Sequence, residues 1–119
     1  MDLKIVSIHE QGNAEKEYVW LEAVNDCNLK DYALADTTYT GENAISNKLR
    51  HFYWWTSCKV KKGELVVLMT GKGKNDTYTS QSGHKVNRFF WGLGSAVWNN
   101  SGDAAVLFNI ALWKVKKAK

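Results

Sequence analysis

The chain has 119 residues, no proline, 45% apolar and 24% charged residues, and a formal net charge of +4. That is the size of one domain, here spanning 1–119, with enough apolar residues for a core that needs no staples. No apolar run is long enough to cross a bilayer, and the start, MDLKIVSIHEQGN, lacks the basic and apolar regions of a secretion signal. The expectation is a cytoplasmic protein with no membrane partner.

No helical period is sustained. Short segments rich in Val, Ile, Trp, Tyr and Phe recur between polar turns, which predicts an all-β sandwich or barrel. Leu3–Ile8 reads as the first strand, closed by the Gln11-Gly12-Asn13 turn. Tyr18–Val24 reads as the second, with Val19, Leu21 and Ala23 alternating against Tyr18, Trp20 and Glu22. After the turn cluster Asn25–Asn28 comes a third strand, Leu29–Ala35, with Leu29 and Leu34 as core contacts. Thr37–Asn47 is the least strand-like stretch and reads as a loop with a helical turn near Ala44. His51–Trp55 is aromatic and extended, and in a regular strand the adjacent Trp54 and Trp55 must point to opposite faces.

A turn at Val60–Glu64 leads into Leu65–Met69, whose continuous apolar run predicts a fully buried strand. Gly71–Lys85 is polar and glycine-containing, and reads as a mobile, exposed loop. Phe89–Phe108 reads as a hairpin region whose polar turn, Asn99–Asp103, is either the hairpin tip or a short strand connection, because Asn and Gly tolerate positive φ. Ile110–Val115 reads as a last strand before a solvated, lysine-rich end.

Charge is divided unevenly. Residues 1–47 hold three lysines against nine carboxylates, a net of −6, while residues 48–119 hold thirteen Lys or Arg against three carboxylates, a net of +10. Lys59, Lys61 and Lys62 share one turn, Lys72 and Lys74 lie in the glycine-containing loop, and Lys85 and Arg88 stand at its far end. Cations interleaved with rings suit nucleic acid, since cations meet phosphates and rings stack on bases. The same asymmetry also fits two halves that neutralise each other.

Six tryptophans are many for this length. Trp91, Trp98 and Trp113 read as core, and Trp54 or Trp55 as a partly covered edge. The alternative is an exposed aromatic platform that contacts a protein or a glycan, with Trp20, Tyr53, Trp54 and Trp55 as its candidates. His9, His51 and His84 show no ligand spacing, and Cys27 and Cys58 lack metal spacing. The cysteines read as two reduced thiols, with a disulfide as the alternative. Gly71-Lys72-Gly73-Lys74 is not a phosphate loop, because no helix follows it. No pattern points to a catalytic residue, a metal or a cofactor.

Four segments together resemble the lamin tail domain family, the immunoglobulin-like module of nuclear lamins found also in bacterial proteins. EYVWLEAVND at Glu17–Asp26 resembles that family's E-x-V-E-L-x-N strand, and NLKDYALAD at Asn28–Asp36 its L-x-G-W-x-L-x-D pattern. CKVKKGELVVLMTGKG at Cys58–Gly73 resembles the strand pair joined by a Gly-Glu turn, and WGLGSAVWNNSGDAAVLFN its W-x-N-S-G-D block followed by an apolar strand. Trp20 stands where the family commonly has an acidic residue, and Asp31-Tyr32 replaces the usual Gly-Trp. The resemblance implies an all-β, immunoglobulin-like sandwich of lamin-tail type that binds rather than catalyses. The expected function is a scaffolding module for protein–protein interaction, self-association included. The alternative is nucleic-acid binding through the basic C-terminal half, and the lesser one a carbohydrate-binding module.

Overall fold

A computed structural model describes residues 1–41, 44–99 and 102–119. The chain is all-β. Among the described residues eleven strands follow in order: β1 (Leu3–His9), β2 (Tyr18–Ala23), β3 (Cys27–Asn28), β4 (Tyr32–Gly41), β5 (Ala44–Ile45), β6 (Phe52–Trp54), β7 (Lys59–Val60), β8 (Leu65–Met69), β9 (Asp76–Thr79), β10 (Lys85–Phe90) and β11 (Asp103–Asn109). One five-stranded sheet runs in the order β1-β2-β8-β10-β9. In the other sheet β4 is central, with β11 along one side and β6 and β5 along the other. β3 and β7 form a two-stranded ribbon.

One core joins the sheets. Leu3, Val19, Leu21, Ala23, Val66, Leu68 and Phe89 of the five-stranded sheet pack with Tyr32 and Leu34 of β4, and Trp55, Val97 and Trp98 fill the space between. Two sheets sharing one core are compatible with a β-sandwich. The alternation expected in β2 is observed: Val19, Leu21 and Ala23 are buried, while Tyr18, Trp20 and Glu22 are only partly covered. Trp54 and Trp55 do face opposite ways, with Trp54 exposed and Trp55 buried.

Several expectations are corrected. Leu29–Asp31 forms a 3-10 turn rather than the start of a strand, capped by the Asn28 carboxamide oxygen, which accepts from Lys30 N–H at 3.1 Å. Thr37 onward is not a loop with a helical turn: β4 continues to Gly41, and Ala44 begins β5. Polar threonines suit a sheet once a partner strand takes up their backbone groups. Gly71–Lys85 is not a continuous loop, because Asp76–Thr79 pairs with β10.

Phe89–Phe108 is not a hairpin, since β10 lies in the five-stranded sheet and β11 in the other. Of its expected tip, Asn100 and Ser101 lie outside the described residues, as do Glu42 and Asn43 of the expected loop. Ile110–Val115 forms no strand, and Trp113 is 59% exposed rather than core. β10 pairs in parallel with β8, a non-local arrangement that strand-by-strand patterning does not reveal.

Candidate functional site

The alternation of β4 decides what its sheet shows to solvent. Tyr32 and Leu34 enter the core, so Ala33, Ala35 and Thr37 turn outward. Directly opposed residues share a face. Trp54 and Phe52 of β6 therefore flank Ala33 and Ala35 on one side, and Phe108 and Val106 of β11 flank them on the other. The two alanines are fully buried beneath these rings, and Phe52 and Phe108 meet above them with centroids 5.9 Å apart. Small floor residues between large flanking rings make a continuous aromatic surface.

The chain beyond β11 extends that surface. Ile110 N–H donates to Asp31 C=O at 2.7 Å, which brings the final segment beside the 3-10 turn. Trp113 then stands edge-on to Trp54, centroids 4.8 Å apart at 89°. Trp54 is fixed in turn by its Nε1–H, which donates to Lys30 C=O at 2.8 Å. Between them lies a groove of about 580 Å³ lined by Lys30, Asp31, Trp54, Trp55, Ala111 and Trp113, among others. Phe52 and Trp54 are 49% and 40% exposed. A ring held in place at its polar end, as Trp54 is, yet open to water suits docking of an apolar segment.

The sequence candidates are distributed unequally. Of the aromatic set, only Trp54 is exposed on this surface, and Trp55 lines the groove while itself buried. Tyr53 and Trp55 point inward, their rings 5.3 Å apart, and continue through Trp91 to Trp98 as an aromatic spine of the core. Burial pushes the Tyr53 phenol up, partly offset by a hydrogen bond with the Asn75 side chain. Trp20 lies on the outer face of the other sheet with Tyr18 and Met69, against Leu65, Val67 and Val86. Phe52, Phe108 and Trp113 were missed as surface residues. The two-residue period linking Phe52 to Trp54 carried that signal for the first of them.

The basic candidates separate into two groups. Lys59, Lys61, Lys62 and Lys85 gather near the start of β8, and Lys72 and Lys74 follow its end. A five-residue strand puts about 17 Å between those ends. Lys85 Nζ lies 3.9 Å from Glu64 Oε1. Arg88, mid-sheet, is held by Asp76 through Nε at 2.8 Å and Nη2 at 2.6 Å, and its guanidinium lies over the rings of Tyr78 and Phe90. The hydrogen bond to Arg88 holds the Asp76 carboxyl below its usual range. Gly73 belongs to this assembly, since a Cβ there would meet the Phe90 ring at 2.5 Å.

Two buried carboxylates organise the rest. Glu17 is fully buried, and its Oε2 accepts from Thr70 Oγ1–H at 2.6 Å, Val97 N–H at 2.7 Å and Trp98 N–H at 3.3 Å. Its Oε1 accepts from Gly12 N–H at 3.1 Å. Asp36, also buried, accepts from His51 N–H at 2.7 Å and lies 3.1 Å from His51 Nδ1, fastening the approach to β6 onto β4. Both carboxylates work as clamps: an anion that accepts several N–H or O–H groups satisfies donors that burial would leave unpaired.

Cys27 and Cys58 are free and partly buried, and burial pushes both thiols up, Cys27 further through Asp2, Asp31 and Asp26. Thiols shifted upward stay protonated at neutral pH and react slowly. Among the described residues no group of three or more His, Cys, Asp or Glu side chains is placed to hold a metal.

Comparison of the chain with protein-family models, curated proteins and solved structures returns no match.

Proposed function

We propose that this chain is a non-catalytic, protein-binding β-sandwich of lamin-tail, immunoglobulin-like type, and that its docking surface is the outer face of the β4 sheet. The observation that carries this is the contiguous run of exposed rings, Phe52, Trp54 and Trp113, beside an apolar groove. Large rings in a partly desolvated setting are the commonest anchors of protein interfaces. The family reading is supported by the four sequence segments, which fall on β2, on the 3-10 turn with β4, on β7–β8, and on the approach to β11. Nucleic-acid binding draws less support, because the lysines divide between two ends of β8 and Arg88 is occupied by Asp76.

Selection of displayed peptides on the purified protein tests the reading. Peptides with an apolar anchor are expected to enrich on the wild type and to lose at least tenfold in affinity on Trp54→Ala, a cost of about 1.4 kcal/mol or more. Two results defeat it: no enrichment, or binding of short single-stranded DNA that weakens steeply with salt and ignores Trp54→Ala.

A further inference from the structure

β11 is the edge strand of its sheet, with β4 along one side and, among the described residues, no strand along the other. The phase of its ladder is fixed by two bonds at its ends: Tyr39 N–H donates to Gly102 C=O, and Ile110 N–H donates to Asp31 C=O. Register with β4 is unbroken from Asp103↔Thr38 to Asn109↔Tyr32. Hydrogen-bonded positions alternate along an antiparallel pair, so Ala104, Val106 and Phe108 spend their backbone groups on β4. Ala105, Leu107 and Asn109 turn theirs to the open side.

The other edges are blunted in ways this one is not. β1 carries a bulge between Ile5 and Ser7 and an outward Lys4. β9 is four residues long, and the β6–β5 side is split into pieces of three and two residues. β11 has seven residues, no lysine, no proline and no bulge. A flat, apolar edge of that kind is a template for a further strand.

We propose that β11 pairs antiparallel with β11 of a second copy of this chain, about a two-fold axis through Val106. This register follows from the sequence of the strand. It places Ala105 and Leu107, the residues with outward backbone groups, opposite Leu107 and Ala105 of the second copy as hydrogen-bonded pairs. On the outer face Ala104 meets Phe108 of the second copy, and Val106 meets its own equivalent. Small opposes large at every pair off the axis between Ala104 and Phe108, so side chains fill the seam without clash. The one charged residue of the strand, Asp103, falls opposite the Asn109 amide of the second copy, a neutral donor, so no like charges meet across the interface. An isologous pairing of this kind closes as a dimer and cannot propagate. It joins two β4 sheets into one and places their aromatic outer faces side by side.

Sedimentation of the purified chain over a concentration series tests it. The expected result is a reversible monomer–dimer equilibrium. Ala105→Pro removes an outward N–H and no bond to β4, and is expected to weaken dimerisation at least about tenfold while its thermal melt stays cooperative. Val106→Cys is expected to give an oxidised dimer cross-linked at that position, since a non-hydrogen-bonded pair on the axis brings the two Cα atoms to about 4.5 Å. Should Ala105→Pro fail to fold, the Val106→Cys cross-link decides alone. A monomer at every concentration up to about 1 mM overturns the proposal, as does a dimer that Ala105→Pro leaves intact or that Val106→Cys does not cross-link.

Discussion

On the five-stranded sheet the outward-facing Leu65, Val67 and Val86 are almost wholly covered, whereas on the four-stranded sheet the outward-facing Phe52 and Trp54 stand open to water. Both faces are apolar and both carry rings. What differs is the arrangement of large and small. In the first, aliphatic residues form the floor, and the longer side chains of Tyr18, Trp20 and Met69 pack against them. Arg88 and Asp76 add a bidentate ion pair, and the guanidinium is sandwiched toward Tyr78 and Phe90. In the second, alanines form the floor and the rings themselves are the outermost layer. The number of aromatic residues on a sheet therefore says little about docking; whether they roof something or are themselves unroofed says more.

The contrast can be attacked from its supports outward. Glu17 clamps the segment before β2 to Thr70 and to Val97–Trp98, so Glu17→Ala strands several buried donors at once. A loss of about 3–5 kcal/mol in denaturant unfolding is expected, with both faces lost in one cooperative step. Val86→Ala opens a hole under the roofed face alone. It should cost about 2 kcal/mol and leave peptide binding at the open face within twofold of wild type. Trp54→Ala reverses that pattern in binding: docking is lost, while removal of a ring only 40% exposed costs about 2 kcal/mol of stability. If Val86→Ala weakens peptide binding as much as Trp54→Ala does, the two faces are not distinct in the way described.

The smallest effect is the pH response of the roof. The Asp76 carboxyl is depressed in the folded chain by its hydrogen bonds with Arg88. Its contribution is thus present above the unfolded value of 3.8 and lost as pH falls through the lower folded one. Stability of the wild type should drop slightly faster than that of Asp76→Asn on acidification below that value, read as the midpoint of thermal unfolding. Identical acid limbs for the two proteins would show that the ion pair adds nothing to the roof.

Much of this was legible in residues whose signal is local. Leu65–Met69 announces a buried strand by its continuous apolar run, and the adjacent Trp54 and Trp55 announce two faces by the period of a strand. β9 could not be read that way. Asp-Thr-Tyr-Thr is exposed throughout, and what makes it a strand is backbone pairing with β10 together with the Asp76–Arg88 bond across twelve residues. The gathering of Lys85 with Lys59, Lys61 and Lys62 is non-local too, because it depends on β10 running parallel to β8. Trp113 reads as core when Ile110–Val115 is taken as a strand. Its position is instead set by the turn of the chain at Ile110 and by the edge of Trp54. The docking face needed the pairing of β4 with both β6 and β11, which no single segment encodes.

The clamp at Glu17 also orders events in time. Its acceptor bonds span 53 residues to Thr70 and 80 and 81 to Val97 and Trp98. β1 and β2 can pair early, but the carboxylate before β2 has only Gly12, and later Thr70, as donors until Val97 and Trp98 arrive. A nascent chain that has reached only β8 thus holds a hydrated anion where the interior must form. Assembly is expected to be late, all-or-none and slow, as for other folds dominated by distant contacts. A stalled ribosome displaying residues 1–90 should yield a protease-sensitive chain, and one displaying the whole sequence a protected one.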